Sequence, residues 1–289
     1  MSFLPQEIRP ITTDQQRLTD KHLKPALADI EFLLYRIRRD IDKELQAQFP
    51  EQNGKAYPYG RCLEISDLFM AKLRVKLNSK EPHRGLRALR AFLAGGGRID
   101  WVWGALRETY FQNAFQVGAW YMDVSNDTVT VTKPAVEILP WKDANFIAIQ
   151  GIDHFAKIAK NYWGAETYVN DLVPSLAPIF PMILRFPSGQ IEISSPTNYM
   201  VDYFRRDRFV QSEDFLARGP SLPQAVWQGV WQALSEEDRA ANTDAGRHQA
   251  IAACRTDRGA ACFDDASWRL LQLQAHTRIH YLVTSLRIA

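Results

Sequence analysis

The sequence predicts an α+β fold, with a small antiparallel sheet packed against a long N-terminal helix and a C-terminal helical region. Three observations predict it. Apolar residues recur every three or four positions from Leu23 to Leu45, the period of an amphipathic helix. Residues 99–139 are instead aromatic and β-branched, including Ile99, Trp101, Trp103, Tyr110, Phe111, Phe115, Trp120 and Tyr121, which is strand composition. Beyond Pro196 the chain reads helical again. Helices, then strands, then helices favour segregated layers over a wound parallel sheet.

Taken in order, residues 1–20 read as an irregular arm. Leu23, Leu27, Ile30, Leu34, Ile37, Ile41 and Leu45 then mark a helix from about Pro25 to Gln48, with Pro25 suited to its first turn and Pro50 stopping it. Arg36, Arg38, Arg39, Asp40 and Lys43 form its charged outer face. A polar loop over 51–60 precedes a second helix, about Cys62 to Leu77, and a third, about Arg84 to Leu93, which ends at Gly95-Gly96-Gly97. Two or three antiparallel strands follow in 99–139, and the alternating run Thr128–Thr132 reads as strand. Phe146 to Trp163 reads as helix, and Pro187-Ser188-Gly189 turns a hairpin within 180–193. Short helices are expected near 197–206, 212–218, 223–235 and 246–254, and a longer one over about 265–286. The domain reading is an arm and helix over 1–50, an α+β core over 51–195 and a helical region over 196–289, all one structural unit.

Composition narrows the function classes. The chain has 289 residues, a net charge of +2 and 24% charged residues, an ordinary globular balance with no strong polyanion-binding bias. Three cysteines are too few and too odd in number for a disulfide scaffold. No apolar run approaches a membrane span and the start shows no signal pattern. The expected location is cytoplasmic, export without a cleaved signal remaining open, and neither a membrane nor nucleic acid is expected as partner. Arg84, Arg87 and Arg90 form a basic stripe read as a solvated face. No phosphate-binding glycine loop is present, and no cofactor is expected.

Cys62 is the most informative residue. It follows Gly60 and opens a predicted helix, where backbone N–H groups lower a thiol pKa and stabilise a developing oxyanion. Arg61 adds positive charge. The segment Tyr57-Pro58-Tyr59-Gly60-Arg61-Cys62-Leu63-Glu64-Ile65-Ser66 resembles the nucleophile loop of papain-like and transglutaminase-like bacterial thiol enzymes. Trp120-Tyr121-Met122-Asp123 resembles the strand that carries their acid. The resemblance covers about 57–130 and implies a thiol hydrolase or an acyl or amide transferase acting on a peptide, protein or small amide. Cys62 would be the nucleophile and Asp123 the residue orienting the base. Tyr59, Arg61, Trp120 and Gln116 would contact substrate.

The same resemblance implies a strand histidine 10–15 residues before the acid. The chain reads Tyr110-Phe111-Gln112-Asn113-Ala114-Phe115-Gln116 there, and an amide is not a base. Gln112 and Asn113 are therefore polar site partners, and His154 or His83 is the candidate proton acceptor. Two other readings stand beside this one. Gly118–Ser125 also resembles the acidic strand of nucleotide-sugar glycosyltransferases, in which Asp123 and Asp127 would hold a divalent metal. Alternatively, the protein is a non-catalytic scaffold or partner-binding protein. His276 and His280 share a helix face but lack a third zinc ligand.

Overall fold

The computed structural model describes residue 4 and residues 6–52, 54–193 and 197–259. The architecture is α+β, and the chain divides into two compact units, Gln6–Ala148 and the residues from Ile149 onward. That boundary falls inside the 51–195 stretch that the sequence reads as one core.

The first unit begins with helix α1 (Thr13–Leu18), started by the Thr12 side chain accepting from the Gln15 N–H. A π-helical turn over Thr19–Leu23 and a 3₁₀ turn over Lys24–Ala26 follow. Pro25 lies in the latter, so the long helix α2 starts two residues later than expected, at Leu27, and runs to Gln48. It buries Ile30, Leu34, Ile37, Ile41 and Leu45 as the periodicity requires. A two-strand ribbon, β1 (Glu51–Gln52) and β2 (Lys55–Ala56), leads to α3 (Cys62–Asn78) and then α4 (Arg84–Ala94). Arg90 is not a free member of a basic stripe. Its guanidinium donates to the carbonyls of Lys76, Leu77 and Ser79, satisfying acceptors that the end of α3 leaves exposed.

Five antiparallel strands follow: β3 (Ile99–Leu106), β4 (Tyr110–Val117), β5 (Trp120–Asp123), β6 (Glu137–Pro140) and β7 (Phe146–Ile147), in the spatial order β6-β5-β4-β3-β7. The pleat sorts side chains by parity. Phe115, Val117, Trp120 and Met122 join Ile65, Phe69, Leu89 and the α2 stripe in the main core. Val102, Leu106, Ala114 and Tyr121 face the other way and pack with Ala144 and Phe146. Trp120 is thus a core side chain, which explains why an aromatic residue stands at a position read as substrate-binding.

Two local expectations fail. Thr128–Thr132 is a succession of turns rather than a strand. Thr128 Oγ1 and N–H both bond the Ser125 carbonyl, so local side-chain chemistry overrides the alternating pattern. Phe146–Ile147 pairs with β3 instead of starting a helix. The helix begins only after Gly151, at φ 136°.

In the second unit, α5 (Ile152–Trp163) ends at Gly164 in the left-handed conformation. A three-stranded antiparallel sheet of β8 (Glu166–Val169), β9 (Met182–Arg185) and β10 (Ile191–Ile193) follows, in the order β10-β9-β8. Strand β8 lies outside the segments whose pattern predicts a strand. Helices α6 (Asn198–Arg206), α7 (Val210–Arg218), α8 (Gln224–Ala233) and α9 (Thr243–Gly259) complete the described chain. Asp171, fully buried, accepts from Ser221 Oγ and Trp227 Nε1, which ties the irregular segment after β8 to α8. The expected helix over 265–286, with His276 and His280, lies outside the described residues.

Candidate functional site

Cys62 is placed where the sequence puts it. The turn over Tyr57–Gly60 ends at Gly60, whose φ of 73° is left-handed and suits glycine. The Gly60 N–H donates to the Thr128 carbonyl at 2.9 Å, so the loop that presents the cysteine is docked on the turns after β5. Cys62 is the first residue of the 17-residue helix α3. Its Sγ accepts a hydrogen bond from Asn113 Nδ2 at 3.7 Å. Asn113 Oδ1 in turn accepts from Trp101 Nε1 at 3.1 Å and from Gln6 Nε2 at 3.3 Å. The amide is therefore oriented with its NH₂ toward the sulfur.

A second cluster surrounds Asp123, which is fully buried. Its Oδ2 accepts from Gln112 Nε2 at 2.6 Å and from the Tyr121 hydroxyl at 3.1 Å. Its Oδ1 accepts from the Ser125 N–H at 2.7 Å and the Ser125 hydroxyl at 3.0 Å. Gln112 is itself buried, and its Oε1 has no hydrogen-bond partner among the described residues. An orphaned buried acceptor is costly and uncommon.

The pleat separates these clusters. Ala114 is the β4 residue opposite Asp123, because Phe115 pairs with Met122. Gln112, Ala114, Tyr121 and Asp123 therefore share one sheet face, while Asn113, Phe115 and Met122 share the face that α3 covers. Cys62 touches the second group. Among the described residues no hydrogen-bonded side chain links Cys62 to Asp123. Asp123 reaches the thiol through its field instead, and that field works against ionisation.

The electrostatics follow. Cys62 is half-buried at the surface, with its sulfur side packed inward; desolvation there pushes the thiol up to about 11, the Asn113 hydrogen bond opposes this, and the negative charges of Asp123 and Glu64 reinforce it. Arg61 does not compensate. Its guanidinium is paired with Glu64 at 2.8 Å and lies over the Phe49 ring at 4.4 Å. Burial likewise lifts the Asp123 carboxyl to about 6, against the bonds from Gln112, Ser125 and Tyr121, which favour the carboxylate.

The histidines expected to supply a base have other hydrogen-bond partners. His83 caps α4, its Nδ1 accepting from the Gly85 N–H, and its ring stacks on Phe32. The 17 residues of α3 span about 25 Å, and the loop carrying His83 is held at the far end by Lys76–Glu81. His154 belongs to α5 in the second unit, where its Nδ1 accepts from the Gln150 N–H. Among the described residues, Asn113 is the only side chain hydrogen-bonded to the Cys62 sulfur.

The remaining expected site residues have defined roles. The Tyr59 ring lies under Lys55 Nζ at 4.1 Å. Gln116 holds the backbone of Arg9, its Oε1 accepting from the Arg9 N–H at 2.9 Å and its Nε2 donating to the Arg9 carbonyl at 2.7 Å. Asp127 has both oxygens bonded by Arg38, at 2.8 and 3.1 Å, a bidentate ion pair. Among the described residues no group of three or more His, Cys, Asp or Glu is arranged to hold a metal ion.

Sequence reading missed Arg38. The charge pattern places it on the outer face of α2, yet it is 2% exposed. Besides Asp127 it donates to the Val124 carbonyl at 2.8 Å and to Asp42 at 2.7 Å. The Tyr57 hydroxyl also donates to Asp42. Burial opposes the Arg38 charge, but Asp127 and Asp42 outweigh it and hold the guanidinium above its ordinary range. The available signal was spacing, because Arg38 lies four residues after Leu34 and seven before Leu45. Comparison of the chain with protein-family models, curated proteins and solved structures gives no match.

Proposed function

We propose that this protein is a partner-binding scaffold in which the Cys62 site performs no covalent chemistry. The observation that supports this reading best is that amides face both the thiol and the buried acid, the two groups between which a base would stand. Asn113 faces the sulfur and Gln112 faces the buried acid. A nucleophilic thiol needs an acceptor for its proton or a depressed pKa. This thiol has an amide donor and a pKa pushed upward by burial and by Asp123. The amide pair suits a different task. Asn113 ties the start of α3 to β4, and Gln112 donates to the buried Asp123, neither carrying charge.

The competing reading, a thiol hydrolase or transferase, draws its support from the helix N-terminus at Cys62. Iodoacetamide alkylation, followed residue by residue by mass spectrometry on the intact protein, separates the two. At pH 7.5 a thiol with a pKa near 11 has roughly 300-fold less thiolate than a free cysteine with a pKa of about 8.5. The scaffold reading expects Cys62 to react at least tenfold more slowly than a cysteine peptide at that pH. Alkylation faster than the peptide at pH 6–7 would transfer the argument to the enzyme.

A further inference from the structure

Gln112 stands between two acceptors. On the β5 side is Asp123, fully buried and bonded by the Gln112 NH₂, the Tyr121 hydroxyl, and the Ser125 N–H and hydroxyl. On the β3 side is a main-chain carbonyl. Gly104 is directly opposite Gln112 in the β3–β4 ladder, and a Cβ on Gly104 would run into the Ile147 carbonyl oxygen. Residues directly opposite in a ladder have Cβ positions about 5 Å apart, so the Gln112 amide reaches either acceptor.

The ionised acid decides which way the amide points. A carboxylate only accepts, so it draws the NH₂ of Gln112 to itself at 2.6 Å and strands Oε1, which has no partner among the described residues. All four groups bonded to Asp123 are donors, so the charged acid is satisfied and a protonated acid is not. A proton there needs an acceptor. The Ser125 N–H cannot be one, and the Ser125 and Tyr121 hydroxyls would have to turn their own protons away from Asp123. Gln112 already holds an unused acceptor, and a half-turn of its terminal torsion, which is broadly two-fold, brings Oε1 to the acid.

The charged and titratable groups around Asp123 leave it without a cation of its own. Tyr121 on β5 donates to it. Glu137 faces it from β6 and is paired with Arg107 of the β3–β4 turn. On the α2 side, Arg38 is paired with Asp127 and Asp42. On the α3 side stands the Cys62 thiol, which the Asp123 charge holds protonated. Burial without a cation lifts the carboxyl to about 6, inside the range where a folded protein is easily studied.

We propose that Gln112 and Asp123 form a proton-operated amide switch. With Asp123 ionised, the Gln112 NH₂ faces the acid; when Asp123 takes a proton from solvent, the amide turns over, Oε1 accepting from the new carboxyl O–H and Nε2 donating toward the Ile147 carbonyl. Oδ1 keeps both Ser125 bonds in either state, so the turn after β5 is undisturbed, and the protonated state adds a tie from β4 across β3 to β7. The switch goes beyond the scaffold reading and does not depend on the reactivity of Cys62.

The test is a pH titration of the full chain by NMR, with ¹⁵N-labelled glutamine side chains and ¹³C-labelled aspartate carboxyls. Gln112 is assigned by its loss in Gln112→Met, and Asp123 by its loss in Asp123→Asn. We expect the Asp123 carboxyl and the Gln112 NH₂ to titrate together with one midpoint near 6, the Gln112 protons moving upfield as the carboxylate is lost. Asp123→Asn fixes the protonated arrangement, because the Ser125 N–H holds the new amide oxygen and leaves its NH₂ toward Gln112. Its Gln112 signals should be independent of pH and match those of acidic wild type. Should that variant fold poorly, the wild-type Gln112 titration decides alone. Titration of Asp123 with unmoved Gln112 signals, no Gln112 midpoint between about pH 4.5 and about pH 8, or Gln112 signals in folded Asp123→Asn that match alkaline wild type would overturn the proposal.

Discussion

Arg38→Met replaces the buried guanidinium of α2 by an apolar side chain of similar length. The wild-type group is 2% exposed and makes four hydrogen bonds, to Asp42, to the Val124 carbonyl and two to Asp127. The substitution leaves Asp127, 13% exposed in its side chain, as a carboxylate with no cation, and leaves the Val124 carbonyl without this donor. Breaking a buried pair by removing one partner costs about 3–5 kcal/mol. Asp42 is 33% exposed and recovers part of its solvation, so about 3 kcal/mol is expected here. Urea unfolding followed by tryptophan fluorescence reads the loss. Peptide-resolved hydrogen exchange on α2 assigns it to the first unit, since two units need not unfold together. The double variant Arg38→Met/Asp127→Asn should regain about 1–2 kcal/mol of the loss, because no buried charge is then left unpaired. A loss under about 1 kcal/mol, or a double variant no more stable than the single, would show that the pair is not what joins α2 to the turns after β5.

Two further outcomes follow from the site. Asp123→Asn should flatten the pH dependence of stability between about pH 4 and pH 6. The folded carboxyl titrates near 6, above its unfolded value of about 3.9. The native state then binds the extra proton in that window, so wild-type stability falls as pH rises through it, by about 2–3 kcal/mol in total; urea midpoints of the two proteins at pH 4 and pH 7 read the difference. The substitution should fold well, since the orphaned Gln112 Oε1 can accept from the new amide. Asn113→His places an imidazole against the Cys62 sulfur, and alkylation at pH 7 should accelerate at least tenfold over wild type if the missing base is what silences the thiol. No acceleration in a folded Asn113→His protein would locate the cause in burial alone.

Much of this framework was legible because it depends on periodicity. The spacing from Leu23 to Leu45 announces α2, and the start of α3 at Cys62 falls where Gly60 and the change of pattern put it. The strands β3 to β5 come from a composition that only a half-buried pleat accommodates. What was illegible depends on long-range partners. Arg38 looks like surface charge until Asp127, 89 residues away, is brought to it. Thr128–Thr132 alternates like a strand, yet Ser125 and Thr128 close turns that no period reports. The site shows the same division. Cys62 and Asp123 were identifiable by type and context, but the parity that puts Asp123 on the opposite face from Asn113 follows from register. The arm was read as irregular, and its hold on the sheet runs through Asn113 and Gln116, 107 residues distant in the chain.

The central claim is that the Cys62 thiol is silent. Its most direct test is the ionisation of that thiol, read from the Cβ chemical shift of ¹³C-labelled cysteine, with Cys62 assigned by its loss in Cys62→Ser. The account predicts no midpoint below about pH 9, with Cys62 still protonated at neutral pH and any titration near 11. A midpoint at or below pH 7 would mean that the helix N-terminus outweighs burial and the Asp123 charge, and would contradict the claim.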